Sequence, residues 1–103
     1  MTRVEYAVRR EKATFACVGH AADPRVCAAA SALCMALLAR LETLEEAGQA
    51  VIRDLVAEPG EVRLSVSPVL PEEDASAVND AVETVAAGFL AVERLYPGEL
   101  EVL

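Results

Sequence analysis

The chain's one histidine and one of its three cysteines stand close together, in the segment Gly19-His20-Ala21-Ala22-Asp23-Pro24-Arg25-Val26-Cys27. An imidazole beside a thiol is a minimal set for nucleophilic catalysis: the imidazole takes the thiol proton and the thiolate attacks a carbonyl. The local sequence brings the two within reach of each other. His20 follows a β-prone run that ends at Val18, and Asp23-Pro24 reads as the cap and first residue of a helix, so Cys27 lies one turn inside it. There the positive end of the helix dipole and unpaired backbone N–H groups favour a thiolate. The same N–H groups could receive the oxyanion formed when a peptide carbonyl is attacked. The residues alone leave a structural reading open beside the catalytic one, because cysteine is commonly buried in alanine-rich helices and a lone histidine is more often structural.

Cys34 lies two turns after Cys27, and Cys17 alternates with Phe15 toward a core; both read as packing residues. A shared zinc ion does not fit. Seven residues of helix separate Cys27 from Cys34 by about 10 Å, at roughly 1.5 Å per residue, while zinc holds thiolates at about 2.3 Å. Asp23 has two readings, helix cap or orienter of His20, and the Pro24 that follows favours the cap. The carboxylates Glu42-Glu45-Glu46 and Glu72-Glu73-Asp74 read as solvated helix surface and as charge complementing a helix N-terminus.

These side chains need elements to hold them. Val4, Tyr6 and Val8 alternate with polar residues, and Thr14 to Val18 follows the break at Arg10-Glu11-Lys12, which predicts a hairpin. Val26, Ala30, Leu33, Leu37, Leu41 and Leu44 recur at helical spacing from Pro24 to Ala47, with Gly48 stopping the helix. A second hairpin is expected from Ala50 to Ser67, its turn at Glu58-Pro59-Gly60. Val78, Val82, Val85, Phe89 and Val92 mark a second helix that begins at Pro71 and stops at Pro97-Gly98, and Leu100 and Val102 suggest a last strand. The order ββαββαβ argues for an α+β sandwich, a mostly antiparallel sheet with two packed helices.

At 103 residues and 54% hydrophobic composition, the chain fits a single domain over residues 1–103. Its net charge of -8 disfavours nucleic acid and anionic lipid, and points to basic proteins or peptides as partners. No N-terminal stretch combines a basic start with a long apolar run, and an odd number of cysteines argues against a disulfide framework; a soluble cytoplasmic protein with reduced thiols is expected.

Gly19-His20-Ala21 followed by Val26-Cys27-Ala28-Ala29-Ala30-Ser31-Ala32-Leu33 resembles the ribosomal-processing cysteine protease (Prp) family, whose pattern is a Gly-His, a variable loop and a Val-Cys-Ala helix start. By position the resemblance implies a dyad of Cys27 and His20, with Gly19, Asp23 and Ser31 as candidates for substrate binding. It implies an endopeptidase without metal or organic cofactor that removes a short N-terminal extension from the large-subunit ribosomal protein numbered twenty-seven, acting as a homodimer. The extension typically ends in a hydrophobic motif with Phe before the cut, and the mature tail beyond it is basic. The loop between His20 and Cys27, six residues long, is shorter than the family's usual glycine-containing loop. A catalytically silent dimeric binding module and a thiol redox sensor using Cys27 are the alternative readings.

Overall fold

Alternation along the strands decides which side of the sheet is apolar. The computed structural model describes all 103 residues, and their order is β1 (Thr2–Val8), β2 (Ala13–Val18), α1 (Pro24–Glu46), β3 (Ala50–Glu58), β4 (Glu61–Pro68), α2 (Pro71–Leu95) and β5 (Leu100–Val102). Val4, Tyr6 and Val8 of β1 oppose Cys17, Phe15 and Ala13 of β2, and Ala13 and Phe15 in turn oppose Val66 and Leu64 of β4. Directly opposed residues project to the same face, so one side of the sheet is a continuous apolar surface. Val26, Leu37, Leu41 and Leu44 of α1 and Val78, Val82, Val85 and Phe89 of α2 join it in one core cluster. The rings of Phe15 and Phe89 lie 5.9 Å apart across that layer. The two helices also touch each other closely: a Cβ on Gly88 would meet Leu33 Cδ2 at 2.7 Å.

The sheet order is β3-β4-β2-β1-β5. All neighbours are antiparallel except β1 and β5, which run parallel with Thr2 opposite Leu100. This is the expected ββαββαβ sandwich, with α1 stopping at Glu46, one residue short of the expected end. Two polar residues within β3, Arg53 and Asp54, mark a β-bulge. The register of β3 on β4 shifts between Arg53 and Val56, Asp54 adopts a φ of 53°, and its carboxylate accepts a hydrogen bond from Ser65 Oγ at 3.4 Å. Asp74 departs from the solvated surface expected of its cluster: it is buried, and Oδ2 accepts from the Leu70 N–H at 2.9 Å, capping α2 where Leu70 has no side chain able to do so. Both helices are long and apolar enough to cross a bilayer by length and composition alone, yet their apolar stripes lie against the sheet.

Candidate active site

The start of α1 is built as the sequence requires. Asp23 is the N-cap in an extended conformation, Pro24 occupies the first turn, and Asp23 Oδ1 accepts from the Arg25 N–H at 2.9 Å. Arg25 also folds back on the same carboxylate, its Nη2 at 2.8 Å from Oδ2. That side-chain bond, then the backbone bond from Arg25, hold the Asp23 carboxyl below its usual range. Asp23 is therefore a cap bonded to Arg25, and no hydrogen bond joins it to His20. The Val26 and Cys27 N–H groups donate to the Asp23 carbonyl at 3.1 and 3.3 Å. With the Arg25 N–H on the side chain, the first-turn amides that could have faced an oxyanion are all engaged by one residue.

Cys27 is half-buried, and its thiol donates to the Ala21 carbonyl at 3.3 Å. His20 is exposed, one residue beyond Gly19 at the end of β2. Two glycines shape its surroundings. Gly19 has a φ of 104°, and a Cβ there would meet the Met1 carbonyl oxygen at 2.3 Å; its N–H donates to Gly60 O at 2.9 Å. Gly60, with a φ of 81° in the turn between β3 and β4, lies under the imidazole: a Cβ there would meet His20 Nε2 at 2.5 Å. Nothing larger than glycine fits beneath the ring in this position.

His20 and Cys27 line one cleft of about 530 Å³ between α1 and the β3–β4 turn, together with Gly19 and Ser31. Met35 and Leu38 of α1 form an apolar wall, with Val62 and Pro59 opposite. No hydrogen bond links His20 to Cys27, whose thiol is held by Ala21 instead. The cleft floor holds what spacing alone did not reveal, a pairing of Cys17 with Cys34. The neighbouring Cys17 thiol, and then burial, push the Cys34 thiol up, while the same neighbour lowers Cys17 against the effect of its burial. Cys17 sits on β2 and Cys34 on α1, two turns beyond Cys27; the signal for their meeting was that both occupy apolar-face positions of packed elements.

A thiol and an imidazole in one apolar cleft, on a two-helix α+β sandwich, make a site suited to thiol chemistry on a bound chain. The fold is that of the Prp ribosomal processing protease. Structures of that essential protease from S. aureus, one with a covalently linked product peptide and one with a substrate peptide, each match with a TM-score of 0.67. Their identities to this chain are 19% and 18%, covering 99% and 100% of it and 97% and 98% of the other chain. The crystal structure of SMU.848 from Streptococcus mutans matches with a TM-score of 0.64 and 18% identity, over 99% of this chain and 95% of that one. No family model and no curated protein sequence matches the chain.

Proposed function

We propose that the protein is a cysteine endopeptidase that removes the N-terminal extension of a large-subunit ribosomal protein precursor, the one numbered twenty-seven, acting in the cytoplasm as a homodimer. The observation that carries the reading is the shared cleft: Cys27 at the start of α1 and His20 at the end of β2 open onto one apolar surface, in a fold shared with a processing protease solved with peptides bound. His20 makes no hydrogen bond and is exposed, so rotation about its side-chain bonds can carry the ring from Gly60 toward the thiol. It removes the thiol proton there. The Cys27 thiolate attacks the scissile carbonyl, and the tetrahedral oxyanion collapses as the amine leaves with the proton from the imidazolium. His20 then deprotonates a water that hydrolyses the thioester and releases the acid.

The wall of Met35, Leu38 and Val62 suits a large apolar side chain beside the cut. The net charge of -8 draws the protein toward a basic substrate tail. The test is cleavage of the extended precursor without oxidant. The wild-type protein should cut once at the apolar motif, Cys27→Ala should not cut, and His20→Ala should be slower by about 10² to 10⁴. An intact precursor after incubation with the wild type, or undiminished cutting by Cys27→Ala, would refute the assignment.

A further inference from the structure

The segment from His20 to Arg25, a loop and the first residues of α1, is tied at two points to the segment that follows α2. The Ala22 N–H donates to Glu99 Oε2 at 2.9 Å, and the Arg25 guanidinium lies over the Tyr96 ring at 5.1 Å. Glu99 is itself anchored: its N–H donates to Tyr96 O and its carbonyl accepts from the Thr2 N–H, each at 3.2 Å. The Ala22 N–H and the Ala21 carbonyl belong to the same peptide group. A trans peptide is planar, with N–H and C=O pointing in opposite directions, so fixing one end aims the other. Here the aimed end meets the Cys27 thiol. A carbonyl oxygen only accepts hydrogen bonds, so this contact engages the thiol's own S–H.

We propose that Glu99 is a positioning residue that, through the Ala21–Ala22 peptide, latches the resting site with the Cys27 thiol bonded to the Ala21 carbonyl. Rotation of that one peptide releases the latch: the Ala21 carbonyl leaves the sulfur and the Ala22 N–H turns toward it. The rotated N–H supplies a donor that the first turn of α1 lacks, since its Arg25, Val26 and Cys27 amides are all bonded to Asp23. A peptide entering the cleft gains this donor only by displacing the Glu99 contact, which couples substrate binding to activation of the nucleophile.

This inference deepens the proposed function and rests on Cys27 being the reactive thiol, but its test is independent of proteolysis. The rate of Cys27 alkylation by iodoacetamide at neutral pH and the hydrogen exchange of the Ala22 amide are measured on Glu99→Ala, Glu99→Gln and the wild type. Glu99→Ala should expose the Ala22 amide and speed Cys27 alkylation about threefold to tenfold, the range one exposed hydrogen bond can control in a two-state equilibrium. Glu99→Gln keeps an acceptor oxygen and should return both readings close to wild type. Glu99→Asp, one methylene too short to reach, should follow Glu99→Ala and serves in its place if that variant folds poorly. Unchanged or slower alkylation in Glu99→Ala with native circular dichroism overturns the latch. Alkylation as fast in Glu99→Gln as in Glu99→Ala overturns it too, because charge rather than the hydrogen bond would then govern the thiol. Faster labelling of a protein that cleaves no precursor would uphold the latch while defeating the protease reading.

Discussion

Replacing Gly60 with alanine separates two effects that meet at one atom. Its φ of 81° costs a residue with a side chain roughly 1–2 kcal/mol. The new Cβ would stand 2.5 Å from His20 Nε2 and 3.0 Å from Cε1, contacts that cannot persist. The obstacle is the far end of an exposed side chain, so the ring moves aside at little cost and the stability loss is that of the backbone alone. One kcal/mol lowers Tm by roughly 4–8 °C in a domain near this size, so a fall of about 5–15 °C is expected. Gly48→Ala is the control. Gly48 has a φ of 75° with no atom within 4 Å of an added Cβ, so it should lose a similar Tm without touching the imidazole. Thermal denaturation by circular dichroism, with NMR of the His20 ring, reads both effects. The ring resonances should move in Gly60→Ala and stay in place in Gly48→Ala. Equal ring shifts in the two variants, or an unchanged Tm in either, would contradict the contact between Gly60 and the imidazole or the cost of its backbone.

Phe89→Ala empties a fully buried site against Phe15 and should cost about 3–5 kcal/mol in urea denaturation; a loss below about 1 kcal/mol would contradict the packing. In native protein, alkylation should fall on Cys27, with Cys17 and Cys34 labelled only after unfolding, since both are buried and the Cys34 thiol is pushed up; mass spectrometry of partly labelled protein decides. The Asp23 carboxyl is held low by Arg25, so its contribution to stability is complete above the ordinary value of about 3.9 and is lost as pH falls through the depressed folded value. NMR titration should place its midpoint below that ordinary value and return it upward in Arg25→Ala; an unmoved midpoint would remove Arg25 as the cause.

Local signals carried most of the fold. Asp23-Pro24, the helical recurrence from Val26 to Leu44 and the turn at Glu58-Pro59-Gly60 are each decided by residues adjacent in sequence, and their elements stand where those residues place them. Long-range choices were not legible. The parallel pairing of β5 with β1 depends on how α2 crosses the sheet, and no residue within β5 encodes it. The same division holds at the site. Cys27 and His20 are sequence neighbours joined by a short loop, and their common cleft was readable from that loop. The hydrogen bond from the thiol to Ala21, the rest of the ring on Gly60 and the reach of Glu99 to Ala22 are products of tertiary packing. Asp74 shows the limit most simply: an acidic residue in a first turn reads as surface charge, and only the chain path before α2 turns it inward as a cap.

The parallel pairing of β5 with β1 also has a kinetic side. Thr2 and Leu100 are partners from nearly opposite ends of the chain, and such a contact must overcome a large loop-closure entropy with only a three-residue strand as its reward. The two local hairpins can form early, because their partners are close in sequence. Docking of β5 then comes late in folding, and the same strand is among the first to fray. The Glu99 backbone carbonyl bonds to Thr2 immediately before this strand, so a transient opening of one short edge, which lifts Leu100 from the rim of the core, also reaches the residue facing Ala22.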